Sequence, residues 1–101
     1  MNAEDVTRII EEEIAGEWDL SNLHGVDLKR CLVPPMLRAF DGASSGDHWL
    51  VLEEDPIGRR SYKIVFHEER MTFGLAISGV DGAADFVVGY YGTFLETLAA
   101  M

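Results

Sequence analysis

Apolar residues recur at spacings of three and four through Val6, Ile9, Ile10 and Ile14, with Arg8, Glu11, Glu12 and Glu13 between them. This period predicts a helix over residues 3–15, with one face for a core and one for water. Asn2 is placed to cap it, Glu4 and Asp5 suit the positive end of its dipole, and Gly16 offers a left-handed stop. Trp18, Leu20 and Leu23 punctuate an irregular stretch ending at Gly25 and are expected to anchor it on the core. Residues 26–40 have strand-like composition, but Pro34 and Pro35 cannot donate ladder hydrogen bonds, which predicts two short strands around them at a sheet edge or bend. The glycines and serines between Asp41 and Asp47 read as a loop.

Alternation then sets in. The turn residues Asp55, Pro56, Ile57 and Gly58 predict a hairpin between strands 48–54 and 60–66, and a second hairpin follows through His67, Glu68, Glu69 and Arg70. Pairing Phe66 with Met71 places Ile64 opposite Phe73, Tyr62 opposite Leu75 and Arg60 beside Ile77, an almost wholly apolar face. Folding back the first hairpin sets Leu52 beside Tyr62 and Leu50 beside Ile64. The opposite face then carries Trp49 beside Val65 and Thr72, and Val51 beside Lys63 and Gly74. A half-apolar outer face must be covered by the same chain or bind another. Residues 85–91 alternate again as a strand, and Thr93 with Glu96 forms a capping box ahead of Phe94, Leu95, Leu98 and Met101. The expected fold is α+β: one domain over 1–101, an antiparallel meander of about five to six strands, an N-terminal helix and a short C-terminal helix.

Charge narrows the partners. Eighteen acids against eight bases give a formal charge of −10 over 101 residues, which repels nucleic acid and anionic membranes. The acids concentrate before residue 18, where Glu4, Asp5, Glu11, Glu12, Glu13 and Glu17 face Arg8 alone, so a basic protein would be drawn to that end. The single Cys31 cannot form an internal disulfide, and the amino terminus has no secretory pattern, so a reducing, cytoplasmic setting is expected. No apolar run reaches the ~20 residues that cross a bilayer.

Candidate chemistry is sparse. His24, His48 and His67 lack the spacing of a zinc helix or finger, and neither a cofactor nor a metal is implied. His48 and His67, with Glu68 and Glu69, make the best acid–base constellation, yet strand alternation places the two rings on opposite faces. Cys31, between Arg30 and Leu32, reads as a small core residue, and Ser44 and Ser45 as turn residues. Arg38, Arg59, Arg60 and Lys63 are expected to pair with acids of the same chain. The passage from Tyr90, Tyr91 and Gly92 into Thr93, Phe94, Leu95 and Glu96 is loosely similar to the tail of a group of bacterial immunity domains, which implies a partner-binding module.

Three readings stay open. The first is a non-catalytic protein-binding module of the immunity, inhibitor or regulator kind, contacting its partner through Trp49, Val51 and Val65 and the acidic Glu11 and Glu12. A second is a small ligand-binding or enzymatic domain, with a pocket between sheet and helices lined by Trp18, His48, Tyr62 and Tyr90. The third is a homo-oligomeric structural subunit, and homodimerisation is compatible with all three.

Overall fold

The computed structural model describes residues 1–15, 31–43, 45–54, 62–79 and 85–100. Its elements run α1 (Ala3–Ala15), β1 (Leu32–Gly42), β2 (Gly46–Glu53), β3 (Tyr62–His67), β4 (Thr72–Ile77), β5 (Phe86–Gly92) and α2 (Phe94–Ala100). The expectations attached to Gly16, Trp18, Leu20, Leu23 and Gly25, to the turn at 55–58, to Arg59 and Arg60, and to Met101 lie outside the described residues.

Both helices begin as their sequences predict. Asn2 Oδ1 accepts the amide of Asp5 while Asp5 Oδ2 accepts that of Asn2, each at 3.0 Å, so two orphan donors of the first turn are satisfied reciprocally. At α2, Thr93 Oγ1 accepts the Glu96 amide at 3.1 Å. Between them lies an antiparallel meander of five strands, closed into a barrel by a parallel seam in which Asp41 pairs with Phe86 and Gly42 with Val87. Asp41 N donates to Asp85 O and Ala43 N to Val87 O, both at 2.9 Å. Gly42 has φ 103°, and a Cβ there would collide with the Val87 carbonyl oxygen, so the seam requires glycine at this position.

Packing occupies two layers. Val6 and Ile10 of α1 and Phe94 and Leu98 of α2 bury the outer face of the barrel formed by Trp49, Val51, Leu52, Ile64, Phe66, Phe73 and Leu75. Inside the barrel, Phe40, Leu50, Val65, Ala76 and Val87 fill the space a five-stranded barrel leaves for side chains.

Four expectations are corrected. Pro34 and Pro35 do not split two strands: β1 is continuous, and the missing N–H groups appear as a shift of register against β2 between Leu32 and Met36. β3 and β4 pair two residues away from the expected register, with Phe66 opposite Phe73, Ile64 opposite Leu75 and Tyr62 opposite Ile77. Met71 sits at φ 48° and belongs to the turn, not the strand, and because two residues is the side-chain period every face is preserved. The β2–β3 ladder carries a shift between Leu50 and Leu52, so Leu50 opposes Val65 inside the barrel while Leu52 opposes Ile64 beneath the helices. Finally, Trp49 and Val51 lie under the helices and Val65 in the barrel interior, so the chain covers these three itself and they form no shared outer face.

Candidate functional site

The shift at Val51 also rearranges one end of the barrel. Counting by twos from Leu52 would leave His48 under the helices, but the extra residue on β2 turns it inward, beside Leu50. Trp49 opposes Phe66, and one step further out along the two strands are His48 and His67. Their ring centroids lie 4.7 Å apart at 78°, which overturns the expectation that they occupy opposite faces. The ring of Phe40 meets His48 edge-on at 5.6 Å, and Tyr90 stacks nearly parallel to it at 6.0 Å and 12°. Tyr90 also meets His67 at right angles, 5.6 Å away.

Hydrogen bonding fixes the protons of this cluster. His48 Nδ1 lies 3.0 Å from the carbonyl of Gly46, which can only accept, so Nδ1 carries the proton. Nε2 of the neutral ring is therefore an acceptor, and Tyr90 donates its hydroxyl to it at 2.7 Å. His67 has the opposite tautomer: its Nδ1 accepts the amide of Arg70 at 3.3 Å across the turn, which leaves the proton of the neutral ring on Nε2. His48 is fully buried, and that burial lowers its pKa from the ordinary histidine value; the Gly46 carbonyl and Asp47 oppose the shift, and the neighbouring His67 adds to it.

Tyr90 reaches His48 because β4 has no side chain in the way. Gly74 pairs with Tyr90, and a Cβ at Gly74 would stand 2.9 Å from Tyr90 Cδ1. The guanidinium of Arg70 covers the Tyr90 ring at 5.6 Å from its centroid.

A cavity of about 400 Å³ opens beside this cluster, lined by Leu37, Ser45, Gly46, Asp47, His67, Glu68 and Glu69. Three of these carry exposed carboxylates, His67 forms the inner wall, and none is lysine or arginine. Glu68 Oε1 also lies 3.5 Å from the amino group of Met1. Among the described residues no group of three His, Cys, Asp or Glu side chains is arranged to hold a metal ion. The arrangement offers a recessed surface that accepts hydrogen bonds and positive charge. Its phenol–imidazole pair is occupied internally.

The other residues singled out by sequence are dispersed. Glu11 and Glu12 are exposed on α1, and Glu11 borders a groove between α1 and Pro34 and Pro35 of β1. Tyr62 packs against the helix-side core, away from His48 and Tyr90. Arg38 and Lys63 converge on Asp85, each at 3.3 Å; Arg38 also reaches Glu53 at 3.7 Å, and Lys63 donates to Ser78 Oγ at 2.8 Å. They do pair within the chain, although not with the acids of α1. Cys31 is buried with its thiol 3.5 Å from the Glu54 carbonyl, in keeping with a core role. The sequence placed Tyr90 with His48 only as joint lining of a pocket between sheet and helices; the direct hydrogen bond was signalled by nothing but an isolated glycine at position 74 inside a strand, which marks close approach of another group.

Comparison of the chain with protein-family models, with curated proteins and with solved structures gave no match in any of the three.

Proposed function

We propose that this chain is a non-catalytic protein-binding module whose barrel mouth receives a basic side chain of its partner. The observation that carries the reading is the cavity of about 400 Å³ lined by His67 together with Asp47, Glu68 and Glu69, with no lysine or arginine among its described lining residues. A guanidinium or ammonium entering there meets acceptors on several sides, and the exposed Leu37 offers its methyl groups to the aliphatic stem of the same side chain. The formal charge of −10 adds long-range attraction for a basic partner and speeds encounter at low salt.

Titration with short peptides tests this directly. A lysine- and arginine-bearing peptide is expected to shift the amide resonances of residues 45–48 and 67–70, and to lose affinity at about 0.5 M salt, where the screening length falls to a few ångström. Replacing Asp47, Glu68 and Glu69 together by their amides should abolish the shifts. Equal binding of an acidic peptide, or shifts confined to Glu11 and Glu12 on α1, would move the contact elsewhere and sink the reading.

A further inference from the structure

We infer that the edge of β1 between Met36 and Phe40 takes up an extended segment of the partner as an added strand, with an apolar residue of that segment opposite Leu37 and an arginine or lysine opposite Ala39. The basic residue rests on reading the partner as basic, while the pairing of the edge is measured at amides of its own.

Strand alternation fixes which way the backbone of β1 points. Asp41 N donates to Asp85 O across the seam, so the N–H and C=O of Asp41 face away from β2. The β1–β2 register is unbroken from Met36 to Phe40, and successive residues of a strand turn these groups to opposite sides. The ladder bonds to β2 therefore belong to Met36, Arg38 and Phe40, and the groups of Leu37 and Ala39 face outward like those of Asp41. Among the described residues nothing across the seam meets them, since its bonds begin at Asp41. Both residues are exposed, Leu37 to 51%. Pro34 and Pro35 have no N–H, so they end the open stretch on its other side. Two outward residues thus offer two donors and two acceptors, which suit a strand and not a helix, whose own backbone groups are already bonded.

Side chains narrow the occupant. A second copy pairing about a two-fold axis through this edge sets Leu37 opposite the other copy's Ala39, and Arg38 then faces its own equivalent at a non-hydrogen-bonded site, where strands bring side chains closest. The formal charge of −10 on each chain adds to that repulsion. A foreign basic segment meets the opposite conditions. Ala39 pairs with the exposed Asp47, and only a methyl group stands between an added strand and that carboxylate. The separation is two strand spacings, about 10 Å, which an extended arginine and an aspartate side chain span together. Leu37, whose side chain also borders the mouth cavity, offers apolar surface to the residue across from it. The edge and the mouth are therefore adjoining parts of one contact, joined at Leu37 and Asp47.

The test adds the end-capped peptide Thr-Arg-Thr-Val-Thr to the full chain and follows amide hydrogen exchange. Exchange of the Leu37 and Ala39 amides is expected to slow about tenfold or more, and that of Arg38, already bonded to β2, to stay as it was. Methylating the backbone nitrogens of the peptide's arginine and valine, which face β1, should weaken binding about tenfold, whereas methylating that of the threonine between them should not. Glutamate in place of the arginine should weaken it by a similar factor. Equal loss from both methylated peptides overturns the inference, as does unchanged exchange at Leu37 and Ala39 up to millimolar peptide. Should the resonances of residues 45–48 and 67–70 shift without that slowing, the mouth takes the basic side chain and the edge proposal alone fails. Slowing that is equal with the glutamate peptide overturns the basic occupant, and slow exchange of both amides without peptide, with a dimer in sedimentation, assigns the edge to a second copy instead.

Discussion

The carboxylate of Glu13, in the last turn of α1, closes the start of α2: its Oε2 accepts the amide of Phe94 at 3.2 Å and its Oε1 that of Leu95 at 3.1 Å. The two helices of the chain are thereby joined by a remote cap, which satisfies donors that the Thr93–Glu96 pair does not reach. Glu13→Ala should therefore destabilise the domain by about 2 kcal/mol in urea unfolding, in the range of lost charged hydrogen bonds to a helix start. Glu12→Ala, on the exposed face, should change it by less than about 0.5 kcal/mol.

Gly74 and Gly89 make a matched pair. A Cβ at Gly74 would lie 2.6 Å from the Gly89 carbonyl oxygen and 2.9 Å from the Tyr90 ring, whereas a Cβ at Gly89 meets nothing within 4 Å. Gly74→Ala is expected to cost about 2–3 kcal/mol, typical of overpacking against backbone, and to break the Tyr90–His48 hydrogen bond. Gly89→Ala should be tolerated to within about 1 kcal/mol. Unfolding curves of the two variants, with the His48 ring resonances, check both halves of the statement.

Acid should weaken the fold through His48. Its pKa is lowered in the native state by burial, so the unfolded chain takes up the proton first as the pH falls. Stability from this group is complete above the unfolded histidine value of about 6.5 and declines as the pH drops from there through the lower native value. Thermal unfolding of wild type should show that decline between about pH 7 and about pH 5. His48→Phe should lose this component of the slope while starting from a lower melting temperature, because Tyr90 loses its acceptor.

Removal of either partner of the Lys63–Asp85 pair should have unequal effects. Lys63 is nearly buried, and Asp85 supplies it with a carboxylate oxygen at 3.3 Å. Asp85 also accepts from Arg38 at 3.3 Å and from the amide of Gly79 at 2.9 Å. Asp85→Ala strands a buried ammonium and frees the loop amide, and is expected to cost about 3 kcal/mol or more. Lys63→Met keeps the aliphatic stem and leaves Asp85 with two of its donors, so about 1 kcal/mol is expected. Urea unfolding ranks the two, and a larger loss for Lys63→Met would contradict the assignment.

What the sequence disclosed depended on how local each signal was. Thr93 with Glu96 formed the capping box its three-residue spacing predicted, and Asn2 caps α1 as expected, with Asp5, expected only to suit the dipole, returning the bond. The strands after residue 45 were legible from alternation, and the faces of β3 and β4 survived an error of two residues because Met71 looks like a strand residue while its backbone is left-handed. The histidine cluster was hidden by the extra residue at Val51. A bulge inverts the face relation between the residues on its two sides, here Leu52 on one and His48 on the other, and nothing in the side chains of Leu50, Val51 and Leu52 announces it. Trp49 and Val51 were read as an outward face for the same reason; once the bulge is placed, they are floor for α1 and α2. The hydrogen bond of Tyr90 to His48 inside the barrel required knowing that the barrel closes, which depends on the pairing of residues more than forty positions apart.

The seam through Asp41, Gly42, Phe86 and Val87 sets the order in which the molecule can be assembled. Each antiparallel pairing of the meander joins strands adjacent in sequence, whereas this one closes a long loop for two pairs of residues. The meander can therefore form before its two edges meet, and the seam is both the last contact to be made and the first to part in a native-state fluctuation. The barrel is a rolled sheet held by a clasp, and such openings expose the edges of β1 and β5 while the helix-covered side stays intact.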